Sequence, residues 1–174
     1  MLIFISIMED SVVQQAEKFV RNLLAKESRE GLSYHDIIHT EYVAAKARQI
    51  AQNSELSQDE FNTAVVAAWF HDCGFVVRSE GHEAESQSLA TEYHSSNGVS
   101  EDLMEQVALC NKATEMPQSP GEHMLAKVLC DADMAYLSED FYIERTNLLR
   151  KEWNHEFEAK LSKEAYYRET SELF

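Results

Sequence analysis

A chain of 174 residues, 44% of them hydrophobic, is long enough to bury one sizeable core and short for two independent domains. Fifteen basic residues against 31 acidic ones give a formal net charge of −16, which repels nucleic acid phosphates and anionic lipids over most of the surface. These values predict one domain over residues 1–174, and they argue against nucleic acids and membranes as partners.

The three cysteines, Cys73, Cys110 and Cys130, lie singly in apolar surroundings without paired spacing. An odd number of isolated thiols is typical of a reducing compartment, and we therefore expect a cytoplasmic protein. The apolar run Met1–Ile7 is too short to span a bilayer, and it has no basic leader or small-residue cleavage site. We interpret it as an additional N-terminal segment, with Met8 as an equally good start.

Apolar residues recur at spacings of three and four along most of the chain, which contains only five glycines and two prolines. This periodicity predicts an all-α fold with little room for strands. The first amphipathic helix is expected over about Ser11–Lys26. Its buried stripe consists of Val12, Ala16, Phe19, Val20, Leu23 and Leu24. A second helix follows the turn at Gly31, and its apolar face carries Ile38, Tyr42, Val43, Ala47 and Ile50.

The third helix has the clearest start signal. Ser57 with Glu60 three residues later forms a capping box, and Phe61–Phe70 is apolar nearly all round, which predicts a helix at the centre of the fold. A fourth helix is expected over about His82–Ser96, and Ser100 begins a fifth.

The last third of the chain is predicted to contain a loop and further helices. Two prolines make Met116–Pro120 a loop, and a sixth helix is expected over about Glu122–Ala132. From Asp140 onward the sequence is charged, aromatic and helical in period. We expect helices within 138–174 that pack on the rest of the domain.

The adjacent His71 and Asp72 come directly after the most apolar helix of the chain, just before Gly74. Burying an ionisable pair there is costly unless something compensates its charge. A divalent cation does so economically, because imidazole and carboxylate groups are good ligands for such ions. A capping or hydrogen-bonded pair is the alternative reading of this dipeptide.

Two further residues strengthen the hypothesis of a metal site. His39 begins the second helix on the side that carries Val43 and Ala47, so that its ring is expected to face the core. Asp131 follows another apolar run, in LAKVLCDAD. The four residues His39, His71, Asp72 and Asp131 are therefore predicted to converge from the ends of different helices.

These residues stand in YHDIIHTEYVAAKARQIA, AAWFHDCGF and LCDADMAYL, and their order resembles the signature of the HD superfamily of metal-dependent phosphohydrolases. The likeness runs from about Leu32 to Leu137. The segments GHEAES and KATEMPQSP are similar to those of small stand-alone bacterial HD proteins. The resemblance implies a single compact HD-domain helical bundle in which the metal ligands are His39, His71, Asp72 and Asp131.

The resemblance also implies a function. A divalent ion (Mn, Co, Ni, Zn, Fe or Mg) would activate water for attack on a small phosphate ester, with a nucleotide as the leading expectation. Asp72 or Asp131, with one oxygen free of the ion, would accept the proton of the attacking water. The expected partner is thus a small phosphorylated substrate, and a homo-oligomer stays open.

Three residues outside the four ligands are further candidates, each with an alternative reading. His82 is a substrate contact or a partial second-metal ligand, or else an exposed helix start. Lys112 supplies positive charge to a phosphate oxygen, or is a solvated lysine. His35, four residues before His39, orients Asp72 or His39, or is a turn histidine.

The chain also departs from the HD pattern at two points. Phe75 occupies the position, three after the HD aspartate, where many HD nucleotidases carry an acidic residue. Dinuclear HD enzymes add two histidines. His82 matches the first, and Asn111 and Lys112 stand at the second. Two alternatives to the hydrolase follow: a non-catalytic metal- or nucleotide-binding module, and a di-iron oxygenase in which His82 completes a second site.

Overall fold

The helical periodicity of the sequence produces eight α-helices and no β-strand in the residues that the computed structural model describes. Those residues are 2–158 and 160–170 for the backbone, and 12–93, 95, 97–158 and 160–168 for the side chains. With 73% of the chain in helices, the predicted all-α fold is confirmed. Of the additional segment expected at Met1–Ile7, the backbone of residues 2–7 is helical, and the side chains lie outside the described part.

The order of elements follows the predicted order closely. The helices are α1 (Leu2–Glu27), α2 (Ile37–Gln52), α3 (Gln58–Phe70), α4 (His82–Asn97), α5 (Glu101–Ala113), α6 (Met124–Met134), α7 (Tyr142–Glu156) and α8 (Lys163–Thr170). Short 3-10 helices follow α3 at Cys73–Val76 and α6 at Ala135–Ser138. No described helix is long and apolar enough to cross a bilayer.

Helix α3 forms the centre of the molecule, as its uniformly apolar sequence predicts. Every residue from Asn62 to Phe70 is buried, and the helix packs against α1, α2, α5 and α6. The capping box is present, with Ser57 Oγ accepting from the Glu60 backbone N–H and the Glu60 carboxylate accepting from the Ser57 N–H. Because α3 is enclosed, the residues that follow it emerge inside the fold rather than at its surface.

Helix α7 is attached differently from the first six helices. The apolar core cluster draws its described residues from α1 to α6 and from the segment after α3, and it includes no side chain of α7. The buried side chains of α7 are polar: Arg145, Thr146 and Glu152. The buried contacts of this helix therefore include hydrogen bonds made by the charged groups of Arg145 and Glu152.

A candidate metal centre at the meeting point of three helices

The candidate metal ligands lie where α2 begins and where α3 and α6 end. His39 is in the first turn of α2, His71 and Asp72 follow α3 directly, and Asp133 is in the last turn of α6. One ligand atom from each of these four residues lies within 4.8 Å of the others. Two histidines and two aspartates, three of them buried, thus form a group that could hold a metal ion. We call these four residues the cluster.

The contacts within the cluster are close. The Nε2 atoms of His39 and His71 are 3.3 Å apart. The Oδ2 atom of Asp72 lies 3.1 Å from His39 Nε2 and 3.0 Å from His71 Nε2. The Oδ1 atom of Asp133 is 3.3 Å from His39 Nε2 and 3.8 Å from His71 Nε2. A set of two imidazole nitrogens and two carboxylate oxygens suits divalent transition metals.

Backbone carbonyls fix the ring orientation of two histidines. His71 Nδ1 donates to the carbonyl oxygen of Ala68 at 2.8 Å, and His82 Nδ1 donates to that of Ser79 at 3.0 Å. Since a carbonyl only accepts, each Nδ1 donates its hydrogen there, and each ring turns its Nε2 toward Asp72. This is the arrangement in which a histidine serves as a metal ligand.

A glycine and a serine hold the segment after α3 against α4. A Cβ atom added to Gly74 would lie 1.9 Å from the carbonyl oxygen of His82, so only glycine permits this approach. The fully buried Ser86 donates to the His71 carbonyl oxygen and accepts from the Gly74 N–H, both at 2.8 Å. The start of α4 is therefore packed directly onto the His71–Asp72 pair.

The electrostatics of the cluster favour its charged forms. Burial by itself would lower the pKa of His39, but hydrogen bonds to Asp133 and Asp72 outweigh it and raise the pKa to about 9. Burial would raise the pKa of Asp72, whereas the charge of His71 and hydrogen bonds from His39, His71 and His82 hold it well below its usual value. The two carboxylates of the cluster thus favour positive charge at this position.

The fourth ligand requires a correction. We predicted Asp131, but its side chain is exposed, and the aspartate that joins the cluster is Asp133. The reason is helical geometry. Asp131 lies four residues after Lys127 and seven after the exposed Met124, on the solvent face of α6. Asp133 follows the buried Ala126 and Leu129 by seven and four residues, so it continues the core face.

His82 lies beside the cluster, and its Nε2 is 3.4 Å from Asp72 Oδ1 and 3.6 Å from a Glu83 carboxylate oxygen. Burial would lower the pKa of His82, but its hydrogen bond to Asp72 raises it. Phe75 stacks between His82 and His35, with ring centroids 3.8 Å and 3.6 Å away. Phe75, which stands where many HD nucleotidases carry an acidic residue, thus orders the two histidine rings that it contacts.

His35 also reaches the cluster. Its Nε2 is 3.8 Å from Asp72 Oδ2, and its Nδ1 hydrogen-bonds to Oε1 of Glu152 in α7. The other carboxylate oxygen of Glu152 accepts the backbone N–H groups of Ser33, Tyr34 and His35 at 2.9, 2.8 and 3.1 Å. The position of His35 fits the orienting role better than that of a turn histidine.

The remaining predicted residues lie apart from the cluster. Lys112 is exposed in the last turn of α5, where it lines a cavity of about 490 Å³ that includes no cluster residue. Its contact with phosphate stays a prediction. Asn111 is fully buried, with its amide N–H groups directed at the carbonyl oxygens of Ala67 and Val107.

The sequence analysis missed two residues of the candidate site, Asp133 and Glu152. The spacing from Ala126 and Leu129 was a readable signal for Asp133. For Glu152 the only signal is its distance of seven residues from Arg145, which places both charges on one face of α7. A charged tail helix is normally solvated, so this spacing does not by itself predict burial.

Comparisons of the chain with protein-family models, with curated proteins and with solved structures found no match.

Proposed function

We propose that this protein is a metal-dependent phosphohydrolase of the HD superfamily type that acts on a small phosphate ester, with nucleotides as the first class to test. The observation that carries the proposal is the cluster, whose ligand atoms lie within 4.8 Å of one another. The order His, His-Asp, Asp along the chain supports the same reading, with Asp133 as the final aspartate.

Each cluster residue has a definite part in this proposal. His39 Nε2, His71 Nε2, Asp72 Oδ2 and Asp133 Oδ1 would hold the cation, because these atoms face one another. When bound, a divalent cation supplies positive charge to a phosphoryl oxygen and acidifies water. The chain itself contributes the buried and ordered ligands that make the site ready for it.

Proton transfer falls to the outer oxygen of Asp72. Its Oδ1 faces His82 Nε2 at 3.4 Å, away from the two histidines that contact Oδ2. This free oxygen is placed to accept the proton of an attacking water, with His82 as its hydrogen-bond partner. The exposed Asp131 has no such place, and we do not assign it a catalytic role.

A di-iron oxygenase is the second candidate, and the approach of His82 to Asp72 favours it. Against it, the buried Asn111 amide is directed at backbone carbonyls, so this residue offers no ligand where the second histidine would stand. The metal content of the purified protein separates the two. Two irons per chain support the oxygenase, whereas one transition metal with phosphatase turnover supports the hydrolase.

The decisive experiment is a phosphatase screen over nucleotides and sugar phosphates with several divalent metals. Asp72→Ala and Asp133→Asn should each abolish metal-dependent turnover, because each removes a carboxylate oxygen from the cluster. Asp131→Asn is the matched control, since it makes the same change two residues earlier on the exposed face of α6. It should retain full activity.

Three results would count against the proposal. Full turnover by Asp72→Ala would exclude the cluster as the catalytic site. Loss of turnover in Asp131→Asn but not in Asp133→Asn would reverse the assignment of the fourth ligand. Tight metal binding without turnover on any phosphate ester would favour the non-catalytic metal- or nucleotide-binding module.

A further inference from the structure

The two carboxylates of the cluster share a pattern: each turns one oxygen to the histidines and the other to an outside partner. Asp72 directs Oδ2 to His39 and His71, and its Oδ1 faces His82. Asp133 directs Oδ1 to the same two histidines, and its Oδ2 accepts a hydrogen bond from Gln118 Nε2 at 2.8 Å. Gln118 thus contacts the outer oxygen of Asp133 in the same way that His82 contacts the outer oxygen of Asp72.

Gln118 comes from the loop between α5 and α6, and it is oriented differently from its neighbours. Met116, Pro117 and Ser119 are exposed, whereas Gln118 is half-buried. The loop is tied to the end of α5, because the Ser119 N–H donates to the carbonyl oxygen of Ala113 at 3.0 Å. The backbone next to Gln118 is therefore anchored, which supports the side chain that hydrogen-bonds to the cluster.

Asp133 needs such an anchor more than the other cluster residues do. The side chains of His39, His71 and Asp72 are at most 9% exposed, whereas that of Asp133 is 19% exposed. Neighbouring atoms hold the buried three in place, but a half-buried carboxylate can rotate toward water. A hydrogen bond to one of its oxygens removes that freedom.

We propose that Gln118 is a positioning residue that holds Asp133 so that Oδ1 alone is presented to the metal ion. This inference rests on the proposed metal site. An amide suits the task, because it donates a charge-assisted hydrogen bond to the carboxylate without bringing a positive charge close to the cation. A lysine or arginine at the same place would satisfy Asp133 but repel the ion.

The test is metal binding rather than turnover. Titration of metal-free protein with Mn²⁺ or Co²⁺ should show roughly tenfold weaker binding for Gln118→Ala, the lower end of the effect of losing a partner that orients a ligand. The absorption bands of the Co²⁺ complex, which report coordination geometry, should also change.

Ser119→Ala is the control, because it alters an exposed side chain of the same loop and leaves the backbone hydrogen bond intact. Its affinity and Co²⁺ spectrum should match those of the unaltered protein. Wild-type affinity and spectrum in Gln118→Ala would overturn the inference while leaving the proposed function in place. Absence of metal binding by the unaltered protein would overturn the metal site and the inference together.

Discussion

Helix α3 reaches the candidate metal site through a continuous apolar core, whereas α7 reaches it through two buried charges. Asn62–Phe70 are all buried, and His71 and Asp72 follow them directly. The apolar core contains no described side chain of α7, yet Arg145 and Glu152 from this helix contact the segment that leads into α2. Two regions thus serve one site by different forces.

The contacts of α7 act on the backbone before His39. Glu152 accepts three consecutive N–H groups from Ser33 to His35. Arg145 donates to the carbonyl oxygen of Tyr34 at 2.5 Å and to Asp36 Oδ1 at 3.2 Å. Asp36 in turn caps α2 by accepting the His39 N–H at 2.9 Å.

This comparison separates two tasks. Apolar packing is non-directional, so it brings the helix ends together without fixing the orientation of each ring. Hydrogen bonds to buried charges are directional, and they set the loop from which His35 and His39 project. The cost of burying the Arg145 and Glu152 charges is offset by these contacts.

The largest effect is expected from Glu152→Ala. Glu152 is only 3% exposed, and loss of its carboxylate leaves three backbone N–H groups and the His35 ring without their acceptor. We expect the free energy of unfolding to fall by about 3 kcal/mol in urea titrations, the range found when a buried charged partner is removed.

Glu144→Ala is the control for this change, since Glu144 is exposed on the same helix. It should alter stability by less than about 0.5 kcal/mol. A cost for Glu152→Ala as small as that of Glu144→Ala would mean that α7 is not needed to hold the site, and the comparison between the two regions would fail.

A smaller and more selective effect is expected from His35→Ala. His35 Nε2 lies 3.8 Å from Asp72 Oδ2, and the ring stacks on Phe75. Removal of the ring therefore takes one contact from Asp72 and one from Phe75. Metal affinity should fall roughly ten- to a hundredfold, as for other partners that orient a ligand. Calorimetric titration with Mn²⁺ measures this, and unchanged affinity would return His35 to the role of a turn histidine.

The sequence was sufficient to predict the helices and most of the cluster. Capping at Ser57 and Ser100, the apolar run that ends at Phe70 and the core-facing position of His39 depend on local patterns, and the structure contains each of them. The His71–Asp72 pair could be predicted because an ionisable dipeptide after a buried helix requires compensation.

The residues that surround the cluster could not be predicted in this way, because they make contacts between positions that are distant in sequence. Glu152 meets Tyr34 across 118 positions and Gln118 meets Asp133 across 15, and neither pair follows from a local period. The choice of Asp131 over Asp133 was an error of a different kind. Both follow an apolar run, and the helical face that separates them was visible in the sequence.

The smallest predicted effect is on the pH dependence of stability, to which Glu152 of α7 contributes on the acid side and His39 of the cluster on the alkaline side. Burial would raise the pKa of Glu152, but its hydrogen bond to His35 outweighs burial and lowers it below 4.5. A lowered carboxyl pKa contributes stability above about pH 4.5 that is lost as the pH falls through the folded value. His39, raised from 6.5 to about 9, contributes stability that is complete below pH 6.5 and lost as the pH rises through about 9. Urea unfolding of metal-free protein from pH 3 to 10 should therefore give a maximum of the free energy of unfolding between these limits.

Glu152→Gln should flatten the acid side of this pH profile only in part, because Asp72 also has a lowered pKa, and it should leave the alkaline side unchanged. His39→Gln should flatten the alkaline side, with a remainder from His82. Loss of the alkaline decline in Glu152→Gln would show that α7 and the cluster titrate as one unit rather than as two.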